Sequence, residues 1–125
     1  MQKQTIAIVG LGRVGSVFLD KLLKQSNNGI SIVAVAEKGD TPGATLAKAN
    51  GIENLSIDQI VAKTEDIDIL FDLTGLPAVR QELREKFMAT GNRHTVLATE
   101  SIASLIWALI SAGEALPNVH SKKGY

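Results

Sequence analysis

The chain has 125 residues, room for one domain and too few for two ordinary ones. Its 13 Lys and Arg balance 13 Asp and Glu, so no global charge draws it to nucleic acid or an anionic membrane. With 45% hydrophobic and 21% charged residues it has the make-up of a soluble α/β protein, and the lack of cysteine excludes disulfides, thiolate catalysis and cysteine-ligated metal and fits a cytoplasmic location.

The first apolar run, residues 6–9 (IAIV), is too short for a signal peptide and reads as a strand buried on both faces. Residues 13–24 carry Val14, Val17, Phe18 and Leu22 at helical spacing. Residues 30–36 (ISIVAVA), rich in β-branched side chains, form a second strand. Thr41-Pro42 opens a helix, with Thr as N-cap and Pro at the first helical position, and Asn50-Gly51 closes it. A short third strand falls near Asn54 and Leu55. Ser56-x-x-Gln59 is a capping box for a brief helix reaching Lys63. Residues 68–73 (DILFDL) make the fourth strand, residues 77–90 a helix from Pro77 to the stop at Gly91, and residues 94–98 (HTVLA) the fifth strand. A last helix covers residues 101–112 and stops at Gly113, so residues 1–113 are read as the domain and residues 114–125 as a polar tail. The apolar part of that helix is too short to span a bilayer.

Strand and helix alternate throughout, which implies parallel strands joined by right-handed crossovers. The expected fold is an α/β open, doubly wound parallel sheet with helices on both faces and strand order 3-2-1-4-5. Ligands of such sheets bind beyond the C-terminal strand ends where the order reverses, here between strands one and four. The two loops at that point are Gly10–Gly15 and Thr74-Gly75-Leu76-Pro77.

The first loop is Gly10-x-Gly12-x-x-Gly15, preceded by a strand and followed by a helix, with Glu37 at the end of the second strand, 22 residues after Gly15. That is the dinucleotide fingerprint with its context. Gly10 permits the tight turn, Gly12 leaves room for a pyrophosphate, and Gly15 lets helix and strand approach. The helix N-terminus offers N–H groups and a partial positive charge to phosphate. A Glu37 carboxylate accepts hydrogen bonds from both adenosine ribose hydroxyls and repels a 2′-phosphate, so NAD is favoured over NADP. Lys38, a neighbouring cation, weakens that preference.

The stretches IAIVGLGRVGSVFLDKLL and ISIVAVAEKGD, with DILFDLTGLPAV at the fourth strand, resemble the nucleotide-binding domain of homoserine dehydrogenases and of the related aspartate dehydrogenase and inositol-dehydrogenase-type oxidoreductases. The resemblance covers roughly residues 5–100. It implies a Rossmann-type domain in which Gly10, Gly12, Arg13, Val14 and Gly15 meet the pyrophosphate. It also implies that Glu37 meets the adenosine ribose, with Lys38 beside it, and that Thr74, Gly75 and Leu76 line the nicotinamide side. Two features depart from those families. The segment TVLATESIASLIW carries Glu100 where they have a lysine that binds substrate or moves a proton, and the large C-terminal substrate domain has no counterpart in this sequence.

Other candidates are fewer. Asp72 reads either as a buried structural carboxylate or as a group that orients a ligand or a loop amide. Glu100 reads either as an N-terminal helix charge or as a ligand contact. His94 starts the fifth strand, remote from the crevice, and is read as structural; His120 lies in the tail. Arg80 and Arg84 read as a solvated helix face. No His/Asp/Glu spacing suggests a metal site.

IASLIWALI is apolar at nearly every position and cannot keep one face wet, so the helix is expected to be buried on several sides. The sheet covers one side. A second copy of the chain, a neighbouring domain or the tail must cover the rest of residues 102–112 (Ile102 to Ala112), a homodimer being the simplest case, with Trp107 as the anchor. Two function classes follow. One is an NAD(H)-binding module that senses cofactor or delivers it to chemistry elsewhere, as part of a larger or oligomeric protein. The other is an NAD-dependent oxidoreductase whose site is completed by another domain or subunit. A third reading, a dimerisation domain that binds no dinucleotide, is opposed by the intact fingerprint.

Overall fold

The structure, a computed structural model, describes residues 3–110 apart from the side chain of Thr64. Among them five parallel strands, β1 (Gln4–Val9), β2 (Ile30–Ala36), β3 (Glu53–Asn54), β4 (Ile69–Asp72) and β5 (Val96–Ala98), form one sheet in the order β3-β2-β1-β4-β5. They alternate with helices α1 (Arg13–Leu23), α2 (Pro42–Ala49), α3 (Ile57–Ala62), α4 (Pro77–Thr90) and α5 (Glu100–Ile110). This is the doubly wound, Rossmann-type arrangement the alternation implies.

β1 lies at the centre because IAIV offers no polar face to water. Ile6 and Ile8 point into one core with Val14, Phe18 and Leu22 of α1, Ala47 of α2, and Ala103 and Trp107 of α5. Ala7 and Val9 point into the other with Ile60 and Val61 of α3 and Leu83 and Phe87 of α4. The rings of Phe18 and Phe71 meet edge to face, their centroids 4.9 Å apart. Helix starts follow local chemistry. Thr41 Oγ1 accepts the N–H of Ala44 at 3.1 Å. Ser56 and Gln59 make both bonds of the capping box, at 3.1 and 2.9 Å.

Observed boundaries move by a residue or two from those expected. β1 begins earlier, at Gln4, and β5 later, at Val96. α5 begins at Glu100 rather than Ser101. It is also not wrapped on all sides. Ala103 and Trp107 are buried against the chain's own sheet and α1, with Lys21 Nζ 5.5 Å from the Trp107 ring centroid. Ile102, Leu105 and Leu109 are 46%, 58% and 76% exposed. The helical period sends positions 103 and 107 inward and positions 102, 105 and 109 outward, onto the side that the sequence reading assigns to a second copy, a neighbouring domain or the tail. Trp107 therefore anchors the chain's own core. The expected helix end at residues 111–112, the stop at Gly113, the tail and His120 lie outside the described residues.

Candidate functional site

At the C-terminal strand ends a crevice of about 920 Å³ opens where the strand order reverses. Gly10, Gly12, Arg13 and Val14 form one wall, Glu37 and Lys38 the segment that follows β2, and Thr74 and Leu76 the loop after β4. Leu55, Ile57 and Val79 add an apolar lining. The structure thus brings together eight of the ten expected contact residues. Gly15 and Gly75 do not line the crevice; they shape the turns that do.

The three glycines are required for separate reasons. Gly10 has φ +95°, and a Cβ there would fall 2.8 Å from Thr74 Cγ2 and 2.9 Å from Thr74 N. The loops after β1 and β4 touch at this point. A Cβ on Gly15 would lie 1.9 Å from the carbonyl oxygen of Gly10, so helix and loop could not close. A Cβ on Gly12 would meet nothing within 4 Å, because that space belongs to the crevice. Gly12 is also the N-cap of α1, and no side chain caps the helix start. An uncapped helix terminus beside open space suits an anionic group.

Glu37 is held from two directions. Its Oε1 accepts the N–H of Leu11 at 2.6 Å and its Oε2 accepts the N–H of Gly39 at 2.9 Å. Asn54 clamps the backbone of Glu37, donating to its carbonyl and accepting its N–H, both at 3.0 Å. Each carboxylate oxygen keeps acceptor capacity beyond the bond it makes. Across the crevice, Asp72 Oδ1 accepts the Thr74 hydroxyl at 2.7 Å and the Thr74 N–H at 3.1 Å. Thr74 Oγ1 in turn accepts the Leu76 N–H at 3.1 Å. Gly75 completes this turn at φ +69°.

Arg80 corrects the solvated-face reading. It does not point to water with Arg84: its Nη2 lies 2.6 Å from Glu100 Oε1 and its Nε 3.7 Å from Asp72 Oδ2. Both carboxylates are 3% exposed. Burial of two acids demands a cation, and α4 supplies it one turn after its start. Asp72 and Glu100 are therefore structural carboxylates in direct contact with a single guanidinium, and neither lines the crevice. At the outer rim, Lys86 bridges Asp58 and Glu82, at 2.5 and 2.6 Å, and its pKa is raised by those two hydrogen bonds, Asp58's first.

Sequence reasoning missed Asn54, Arg80 and Ser16. Ser16 Oγ donates to the Leu11 carbonyl at 2.8 Å and accepts the Gly43 N–H at 2.9 Å, tying the glycine loop to α2. A polar residue at the crevice end of a weak strand was the one signal for Asn54. For Arg80 the signal was two acids, Asp72 and Glu100, at neighbouring strand ends with no other cation near them in sequence. His94 sits at the opposite end of the sheet, its Nε2 2.5 Å from Asp68 Oδ1. Among the described residues no cluster of His, Cys, Asp or Glu could hold a metal, and no helix is long and apolar enough to cross a membrane.

Comparison with known proteins finds the fold. A homoserine dehydrogenase from S. aureus superposes with a TM-score of 0.60 at 17% identity, over 90% of this chain and 29% of that one. A homoserine dehydrogenase from Thiobacillus denitrificans superposes with a TM-score of 0.55 at 24% identity, over 90% of this chain and 28% of that one. The chain thus spans less than a third of the length of either. No protein-family profile matches the chain, and no curated protein matches its sequence.

Proposed function

We propose that the chain is an NAD(H)-binding Rossmann module, cytoplasmic, that works as part of a larger or oligomeric protein and senses cofactor or delivers it to chemistry elsewhere. One observation carries this reading: the empty space at Gly12, against an uncapped helix start and beside a Glu37 that is fixed to the same loop through the Leu11 N–H. Gly29, Gly51 and Gly91 also face open space but have positive φ, which favours glycine, whereas Gly12 has φ −77°. In this reading the first turn of α1, with Gly12, Arg13, Val14 and the backbone shaped by Gly10 and Gly15, holds the pyrophosphate. Glu37 accepts from the adenosine ribose, with Lys38 at its side, and Thr74, Gly75 and Leu76 border the nicotinamide. The bound group would supply hydride transfer. The chain's own contribution is binding, orientation and the choice between NAD and NADP, and the fold likeness to dinucleotide-dependent enzymes supports it.

The carboxylate at position 37 leads to preference for NAD(H), since a 2′-phosphate would meet a like charge held in place by two backbone N–H groups. The outward row of α5 is assigned in the same reading to a second copy of the chain or to a neighbouring domain. Calorimetric titration with NAD, NADH, NADP and NADPH tests the cofactor reading. The expected result is micromolar binding of the first pair and weaker binding of the second. Equal or tighter binding of NADPH would overturn the role of Glu37, and no binding of any of the four would overturn the reading itself.

A further inference from the structure

We infer that Arg80, which touches no wall of the crevice, positions the Thr74-Gly75-Leu76 turn through Asp72, and so sets how well the nicotinamide half of a dinucleotide is held. The inference rests on the binding mode proposed above. Four side chains stand in series and end on the backbone N–H of Leu76. Glu100, at the first turn of α5, meets Arg80 Nη2 at 2.6 Å. Arg80, in α4, meets Asp72 Oδ2 at 3.7 Å with its Nε. Asp72, the last residue of β4, accepts from both the N–H and the hydroxyl of Thr74. The Thr74 hydroxyl accepts the Leu76 N–H, and Leu76 is the N-cap of α4.

The series closes on itself, because Leu76 begins the helix that carries Arg80. Hydrogen bonds fix the Thr74 end and the Glu100 end, and the link between them is an ion pair, Arg80 Nε facing the otherwise unpartnered Asp72 Oδ2 in a buried site. The Thr74 hydroxyl has one proton, which goes to Asp72, so its lone pair is aimed at Leu76. Asp72 keeps that role as a carboxylate, an acceptor only, whose other oxygen faces a guanidinium. Arg80 faces two acids with two nitrogens held at a fixed separation in one plane, a spacing that a lysine's single ammonium does not carry. Thr74 and Leu76 line the crevice, while Asp72, Arg80 and Glu100 stand behind them. Preorganisation of such a loop tightens the ligand part that touches it and leaves the remote part unaffected.

The test compares NADH with ADP-ribose, which has the adenosine and pyrophosphate and lacks the nicotinamide ring. Thr74→Val removes the hydroxyl at nearly constant shape, Thr74→Ser restores it, and Arg80→Lys keeps the charge while losing the two-point contact. Thr74→Val and Arg80→Lys should weaken NADH by about five- to tenfold and leave ADP-ribose within about twofold, with Thr74→Ser near the parent. Equal losses for NADH and ADP-ribose would show that the series only supports the fold, and would overturn the inference. So would unchanged NADH affinity in both variants. Failure of the parent chain to bind ADP-ribose would remove the underlying reading, a result distinct from either.

Discussion

Gly12 and Gly15 belong to one loop, and the space around each differs. Gly15 is packed against the Gly10 carbonyl, so Gly15→Ala must push helix and loop apart. The expected cost is about 1–3 kcal/mol or more, read as a lower urea midpoint. Gly12 looks into the crevice. Gly12→Val should cost only about 1 kcal/mol as a poorer N-cap, and should abolish nucleotide binding in a chain whose circular dichroism is unchanged. A folded Gly12→Val variant with the parent's affinity would mean that the loop serves the fold alone. Arg80 shows a third kind of dependence. Arg80→Met would strand two acids that are each 3% exposed, at a cost of about 3–5 kcal/mol. Adding Glu100→Gln to Arg80→Met should recover part of that loss, and simple additivity of the two would contradict the shared contact. The fingerprint residues were legible in sequence because glycines at fixed offsets after a strand answer to backbone geometry and close approach, which are local demands. Arg80 was not, because its partners lie on two other elements and only the closed sheet brings them together.

The elements themselves were legible where local chemistry decides them. The capping pairs Thr41/Ala44 and Ser56/Gln59 form as their spacing requires, and the continuous apolar run of β1 takes the centre of the sheet. Helix α5 was legible in type, and which of its sides meets the chain's own sheet was not. An all-apolar segment hides which positions face inward, since that depends on the angle at which the helix meets the sheet. The structure leaves Ile102, Leu105 and Leu109 outward, one row on one side of the helix. Such a row on a chain that associates should be the contact, and Trp107 should not. Leu105→Glu or Leu109→Glu should therefore shift the chain toward monomer in sedimentation velocity while its melting temperature stays close to the parent's. Trp107→Glu should lower the melting temperature steeply, since it puts a charge into the core that Trp107 shares with Phe18 and Phe71. A parent chain that sediments as a monomer across the micromolar range would exclude self-association through α5.

Across the whole molecule the two ends of the sheet divide the work. The C-terminal strand ends carry the crevice and its open helix start. The N-terminal ends carry a closed set of bonds. Asp68 Oδ2 accepts the Thr5 N–H at 2.9 Å, Asp68 N–H donates to Thr5 Oγ1 at 3.0 Å, His94 Nε2 meets Asp68 Oδ1, and Thr95 Oγ1 donates to the Ile67 carbonyl. The order 3-2-1-4-5 was legible because alternation and crossover handedness leave few arrangements, and with it the end at which a ligand belongs. The lattice at the other end was not, since Thr5, Asp68 and His94 are far apart in sequence and meet only through strand register. This division permits a prediction in which pH separates stability from binding. The Thr5 N–H, and after it the His94 hydrogen bond, hold the Asp68 carboxyl below its ordinary 3.8. A carboxylate depressed in the folded state adds stability that is complete above the unfolded value and fades as pH falls through the folded one. Asp68→Asn removes that contribution. The gap in stability between parent and Asp68→Asn should shrink as pH falls below 3.8 and through the lowered folded value, measured by urea unfolding at each pH. NADH affinity at neutral pH should be the same in both, because the substitution lies at the far end of the strands. A gap that widens toward acid would reverse the sign assigned to Asp68, and a loss of affinity would show that the two ends of the sheet are coupled.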